Sequence, residues 1–167
     1  RTVARSLRDL EDTLSSYGYD ENGGRSVFRF QRDDSTLKIY ARDTGTLLYT
    51  WNKHDQIQTR GLVVGLLDTD KEFAALRYEN GRKTMLVENW QDTIDFKIQR
   101  KYIGIIDSHG VAELYSTTEA RKLVNNWKNT IQHAFEPAYA VLLDNEPEKN
   151  FEIFDATGQS LVKLREV

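Results

Sequence analysis

Ile94-Asp95-Phe96-Lys97-Ile98-Gln99-Arg100-Lys101 alternates apolar and polar side chains, which is the two-residue period of a half-buried strand. Ile94, Phe96 and Ile98 are expected to face a core, with Asp95, Lys97, Gln99 and Lys101 outward. The chain continues through a second apolar run, residues 102–106, into the turn formers Asp107-Ser108-His109-Gly110. Residues 111–115 are expected to pair back. Ser116-Thr117-Thr118-Glu119 then has capping-box spacing. Ala120, Leu123, Val124, Trp127, Ile131 and Ala134 follow at helical spacing, with Phe135 beside them and Pro137 as the stop. The pattern predicts strands leading into one long closing helix, and so a sheet with one covered and one free face.

Working outward, residues 27–32, 36–42, 46–51 and 56–60 read as short strands separated by Asp, Gly and Asn turns. The short apolar run 61–67 fits a helical turn or a strand equally well. Residues 72–78 and 83–88 flank Asn80-Gly81, the strongest local hairpin signal. The expected layout is two passes of four strands, each closed by a helical piece, short in the first and long in the second. Residues 1–16 place Val3, Leu7, Leu10 and Leu14 on one helical stripe, and a breaker-rich linker follows. Residues 139–143, 151–155 and 160–165 read as additional strands. The expected division is an N-terminal helix and linker over 1–24, a nucleic-acid-binding core over 25–136, and an acidic strand-rich appendage over 137–167.

The chain has 167 residues and no cysteine, which excludes disulfides, thiolate metal sites and cysteine nucleophiles. No apolar run approaches the ~20 residues of a membrane-spanning helix, so no membrane partner is expected. Net charge is −3, which argues against a nucleic-acid partner. The charge is uneven, however. Residues 1–134 carry 20 Lys and Arg against 19 Asp and Glu, whereas residues 135–167 carry 3 against 7. A locally basic face on a near-neutral body can still bind phosphate, because salt screens distant charges.

His54, His109 and His133 match no metal spacing, and neither metal nor cofactor is expected. Asp107, Ser108 and His109 share one tight turn and cannot take up triad geometry. No phosphate loop or dinucleotide fingerprint is present, and no catalytic constellation emerges. What remains is a set of cations and one aromatic in or beside the expected strands. These are Arg29, Lys38, Tyr40, Arg42, Arg60, Arg77, Arg82, Lys83, Lys97, Arg100 and Lys101. Cations neutralise phosphates, and rings receive unstacked bases, so the set is a candidate surface for a single-stranded nucleic acid. Outward strand positions also carry Lys and Arg merely for solubility, and composition alone favours that account.

With this layout the chain resembles the Whirly fold of plant single-strand DNA-binding regulators and kinetoplastid mitochondrial guide-RNA-binding proteins. The residues that suggest it are Tyr49-Thr50-Trp51-Asn52-Lys53, the run 61–67 at the position of that family's short helix, Phe96-Lys97-Ile98-Gln99-Arg100-Lys101, and residues 115–135 as the closing helix. Residues 27–32 depart from the lysine-glycine signature of the plant branch, so the resemblance points to the kinetoplastid branch. It implies an α+β fold of two four-stranded antiparallel sheets packed crosswise, with a short and a long helix. It also implies a mitochondrial, non-catalytic protein that holds RNA by its backbone and anneals guide RNA to messenger RNA during RNA editing. The implied assembly is a hetero-oligomer, a tetramer with a more basic paralogous subunit. Two alternatives share the sheets: a protein-interaction module, motivated by the net acidity and the strand-rich C-terminal segment, and a single-strand DNA-binding regulator.

Overall fold

The computed structural model describes residues 26–33, 36–145 and 150–165. Among these residues every regular element is a β-strand, and fifteen strands form four antiparallel sheets. The expected α+β, Whirly-like architecture of two crossed sheets with helices is therefore overturned. The expected N-terminal helix and linker lie outside the described residues.

The chain divides into two compact units, Arg1–Trp90 and Gln91–Val167. The first unit holds a three-stranded sheet of β1 (Phe28–Asp33), β2 (Thr36–Ala41) and β3 (Leu47–Trp51). It also holds a four-stranded sheet of β4 (His54–Arg60), β5 (Val63–Asp68), β6 (Phe73–Glu79) and β7 (Arg82–Trp90). Period-2 alternation in β2 buries Leu37, Ile39 and Ala41. Together with Phe28 and Trp51 they pack on Ile57, Val64, Leu66, Leu76 and Tyr78 of the second sheet.

The second unit repeats the plan. Strands β8 (Thr93–Ile98), β9 (Tyr102–Asp107), β10 (Ala112–Ser116) and β11 (Lys122–Trp127) form one sheet. Strands β12 (Thr130–Phe135), β13 (Tyr139–Asp144), β14 (Asn150–Asp155) and β15 (Ser160–Arg165) form the other. Tyr102, Ile106, Leu114 and Val124 pack against Phe135, Ala140, Leu142 and Phe154. In every sheet, neighbours in space are neighbours in sequence, so each sheet is a simple meander. Successive four-stranded meanders are the unit of propeller-type repeat folds.

Both expected helices are strands, for identifiable reasons. Residues 63–67 are buried as β5, hydrogen-bonded on one edge to β4 and on the other to β6. A short apolar run bounded by turns is what a doubly paired strand requires. The expected long helix is β11, a tight turn and β12. Asn126 and Asn129 take left-handed φ values of 55° and 57°, which asparagine tolerates and a continuing helix does not. The helical spacing of the apolar residues was coincidental, and Ile131, one of that stripe, is half exposed. The capping chemistry is nevertheless real. Ser116 Oγ accepts from the amides of Thr118 and Glu119 at 3.1 and 3.3 Å. Here those bonds close a turn, since hydroxyl-to-amide bonds serve turns as well as helix starts.

The strands expected over 27–32, 36–42, 94–101 and 151–155 coincide with β1, β2, β8 and β14 to within three residues at each end. The expected facing of residues 94–101 is corrected at two positions. A register shift between Thr93 and Asp95 turns Ile94 out to 57% exposure, and Gln99, expected outward, is buried with its amide on the Phe135 carbonyl. At Asn80-Gly81 both residues have positive φ, 51° and 78°, and Glu79 pairs with Arg82 across the tight turn. The turn reading of Asp107-Ser108-His109-Gly110 also holds. Asp107 Oδ1 accepts from the amides of His109 and Val111, both at 2.9 Å, so the carboxylate is occupied with its own backbone.

One repeat lies deeper than pattern. Leu66-Leu67-Asp68, Ile105-Ile106-Asp107 and Ile153-Phe154-Asp155 each end a strand and are followed by a four-residue turn. In all three the Asp Oδ1 accepts amides two and four residues later, at 2.8–3.0 Å. The third turn residue, Lys71, Gly110 or Gly158, sits at positive φ and donates its amide to the Asp carbonyl. This motif joins β5 to β6, β9 to β10 and β14 to β15.

Candidate interaction surfaces

The eleven residues expected to bind RNA do different jobs. Arg29, Lys38 and Tyr40 lie on one face of the β1–β2–β3 sheet, opposite its core. Register places Arg29 across from Tyr40 and Lys38 across from Gln31. The Arg29 guanidinium carbon stands 4.4 Å from the centre of the Tyr40 ring, a cation–π geometry, and Nη1 donates to Gln31 Oε1 at 3.2 Å. Thr50 extends the face beside Lys38.

Other members of the set make bonds within the protein. Arg42 Nε and Nη2 donate to the carbonyls of Ser26 and Phe28 at 2.7 and 3.0 Å, closing the outer edge of β1. Lys83 Nζ donates to the Leu48 carbonyl at 3.1 Å and so occupies the edge of β3. Arg77 pairs with Glu79 at 2.7 Å. Arg60 is half-buried at the end of β4, and Arg82 is exposed at the β6–β7 hairpin. Lys97, Arg100 and Lys101 are exposed in the second unit, on β8 and in the turn after it. The Arg100 and Lys101 carbonyls accept from Thr117 Oγ1 and the Thr117 amide, so that turn is tied to the end of β10. The structure thus gathers Arg29, Lys38 and Tyr40, uses Arg42, Arg77 and Lys83 internally, and places the remaining five elsewhere.

A surface that the sequence reading missed lies on the last sheet. Ala140, Leu142 and Phe154 turn into the core of their unit. The alternate positions therefore point the other way. Leu143, Phe151 and Leu164 stand in one cross-strand row, and Val141, Ile153 and Val162 in the next. Leu164 is 58% exposed and Val162 39%, and the other four are partly exposed. Six apolar side chains in two registered rows form a contiguous patch, unlike the singly scattered apolar residues of an ordinary surface. The signal was available in the sequence of β13, where Val141 and Leu143 alternate with Ala140 and Leu142. Strands apolar on both sides read as covered on both sides.

The joint between the two sheets of the second unit is polar and specific. Tyr102, fully buried, places its hydroxyl 2.6 Å from the Glu136 carbonyl and 3.1 Å from that of Tyr139. Burial, followed by the nearby Glu136 and Tyr139, pushes its ionisation well above the usual phenol range. Gln99 Nε2 donates to the Phe135 carbonyl at 2.6 Å. His133 Nε2 lies 2.9 Å from Asp95 Oδ2. The Tyr102 bonds tie the β12–β13 turn to the start of β9, the Gln99 bond ties the end of β12 to the β8–β9 turn, and the His133–Asp95 contact ties β12 to β8. Among the described residues no group of three or more His, Asp and Glu side chains could hold a metal ion.

No family model matches the chain, and no curated protein matches it. Among solved structures it is similar to the N-terminal domain of Nup159, at 8% identity and a TM-score of 0.49, covering 84% of this chain and 42% of that one. It is also similar to apo AztD from Citrobacter koseri, at 11% identity and a TM-score of 0.47, covering 84% and 46%. The computationally designed protein Ika8 matches at 14% identity and a TM-score of 0.46, covering 87% and 51%. The chain spans about half the length of these structures or less.

Proposed function

We propose that this chain is a non-catalytic protein-interaction module whose binding surface is the outer face of the β12–β15 sheet. The observation that carries this reading is the pair of registered apolar rows through Val141, Ile153 and Val162 and through Leu143, Phe151 and Leu164. Burying apolar area contributes roughly 25 cal/mol per Å2, so such a patch favours association with a partner that presents a complementary apolar surface. The partner best suited to a flat sheet face is another sheet, since aligned sheets interdigitate side chains across about 10 Å. Net charge suits the same reading, because an acidic chain repels nucleic acid at long range. The test replaces Leu143 and Ile153 singly with Asp and compares capture of partner protein from nuclease-treated extract. Partner recovery falls at least tenfold in both variants if the face is the binding surface.

A second reading rests on a separate observation. Arg29, Lys38 and Tyr40 share one face, and the Arg29–Tyr40 stack presents cation and ring together. That arrangement supports backbone-held, sequence-tolerant binding of single-stranded RNA on the β1–β2–β3 sheet. Guide-RNA annealing, mitochondrial location and a hetero-tetramer entered only through the Whirly resemblance. They rest on that resemblance alone.

A further inference from the structure

We infer that a cleft in the first unit binds an arginine-like ligand, with a guanidinium seated on the Asp43 carboxylate and a carboxylate or peptide carbonyl at the Ser26 hydroxyl. The site is separate from the β12–β15 face and does not rest on the reading of that face. The cleft holds about 480 Å3, within the roughly 300–1,000 Å3 of small-molecule sites. Both sheets of the unit supply its walls. Ser26 and Val27 lead into β1, Asp43 follows β2, Leu62 lies in the β4–β5 turn, and Tyr78 and Glu79 end β6. Backbone bonds brace these walls. The Arg42 amide donates to the Val27 carbonyl at 2.8 Å, and the Tyr78 amide to the Leu62 carbonyl at 2.9 Å. The cleft is therefore shaped before a ligand arrives.

Asp43 is the anchor. Its Oδ1 accepts the Tyr78 hydroxyl at 2.7 Å, and its Oδ2 accepts no hydrogen bond among the described residues. Tyr78 belongs to the core of the unit, so the carboxylate is oriented by a fixed group. The bond to Asp43 raises the Tyr78 ionisation, so the phenol keeps the proton that does the orienting. A carboxylate held through one oxygen and open at the other is a place for a charge-assisted donor. Glu79 adds a second acceptor, since Arg77 takes its Oε2 and Oε1 accepts nothing among the described residues. A guanidinium suits two carboxylates beside apolar groups better than an ammonium does. Its N–H donors form a planar fork, and it is more weakly hydrated. Val27 and Leu62 give its alkyl stem an apolar wall.

The β1 side of the cleft has the opposite chemistry. Ser26 is 2% exposed, and its Oγ accepts the Phe28 amide at 3.1 Å. The hydrogen of that hydroxyl has no acceptor among the described residues, and a buried donor left unmade is costly. The Arg42 guanidinium is held on the same side, where Nε and Nη2 donate to the Ser26 and Phe28 carbonyls. Its charge favours an acceptor beside Ser26 and disfavours a second cation there. Donors on one wall and carboxylates on the other select a ligand that carries both an acceptor and a cation, in preference to a simple amine.

The test titrates the full chain with L-arginine, citrulline, agmatine and an arginine residue flanked by two glycines on each side. NMR shifts of the Leu62, Tyr78 and Asn80 amides report occupancy. L-Arginine or the peptide should shift these amides saturably. Citrulline replaces the guanidinium by a neutral urea of the same shape and should bind about tenfold more weakly than arginine. Agmatine has no carboxylate and should also bind more weakly. Asp43→Asn keeps an oxygen for the Tyr78 hydroxyl, and should weaken arginine about tenfold while leaving citrulline unchanged. Ser26→Ala should weaken arginine and leave agmatine unchanged. The citrulline comparison needs no variant, so it decides the point even if a substitution unfolds the protein. No saturable shift with arginine or the peptide, citrulline binding as tightly as arginine, or an Asp43→Asn protein that binds arginine as before would overturn the inference. Tighter binding of arginine assigns the cleft to a free amino acid, and tighter binding of the peptide assigns it to an arginine side chain of another protein.

Discussion

The ring of Phe135 occupies the space that a β-carbon on Gly104 would fill. Gly104 is the middle of β9, paired with Lys97 on one side and Leu114 on the other, so its backbone cannot move away without disturbing both neighbours. Phe135 is buried at the end of β12, and its carbonyl is held by Gln99. Two sheets approach closely at this point because one of them has no side chain there. Gly104→Ala should therefore lower stability by about 1–3 kcal/mol, the usual cost of forcing atoms into a packed core. Urea unfolding of the two proteins checks it, and an unchanged midpoint would show that the ring moves aside freely.

Tyr102→Phe should cost about 1–3 kcal/mol, because it leaves the Glu136 and Tyr139 carbonyls without the hydroxyl that now serves them. The pH dependence has a definite sign. Folding raises the Tyr102 pKa, mainly by burial. Its contribution is complete below the ordinary phenol pKa of about 10 and declines as pH rises from there toward the folded value. Alkaline denaturation should begin at lower pH in wild type than in Tyr102→Phe, once the two curves are scaled to their neutral-pH stabilities. Denaturant midpoints measured from neutral pH into this range report it directly.

Asp155 behaves oppositely. The Thr157 hydroxyl, then the amides of Gln159 and Thr157, hold its carboxyl below the ordinary range. Folding lowers this pKa, so the contribution is present above the unfolded carboxylate pKa of about 4 and is lost as pH falls through the folded value. Asp155→Asn should flatten the acid limb of the melting curve and lower Tm at neutral pH. Melting temperatures of both proteins across the acid range decide the point, and parallel acid limbs would contradict it.

How much of this was legible in the sequence depends on the element. Alternation located β2 because one of its faces is apolar and the other is not. In β8, of the three residues expected inward, it placed only Phe96 and Ile98 correctly, since the register shift between Thr93 and Asp95 leaves Ile94 exposed. The Asn80-Gly81 hairpin was legible because asparagine followed by glycine tolerates two consecutive positive φ values. Residues 120–135 were misread because Leu123, Trp127, Ile131 and Ala134 happen to recur at helical spacing. The signal against a helix was local: Asn125-Asn126 and Lys128-Asn129 offered two left-handed turn positions inside it. The repeated apolar-apolar-Asp turn was also present, but in one of its three copies Lys71 takes the left-handed position that glycine holds in the others. The candidate surface was less legible still. Cations on strands could be named, but whether they reach solvent or bond the backbone, as Arg42 and Lys83 do, is decided by tertiary contacts.

The RNA reading makes its own prediction. Arg29→Glu with Lys38→Glu should weaken single-stranded RNA binding by more than tenfold and reduce the dependence of affinity on salt. All RNA sequences should be affected alike, since phosphates carry no base identity. Filter binding at several salt concentrations is the measurement, and salt-independent affinity would exclude the face as an RNA site.

The most direct measurement of the central claim is hydrogen exchange on the complex between this chain and its partner, captured from nuclease-treated extract, compared with the chain alone. The account requires new protection concentrated in β13, β14 and β15, and loss of that complex in Ile153→Asp. Protection confined to β1, β2 and β3, or a complex that forms equally well with Ile153→Asp, would contradict it.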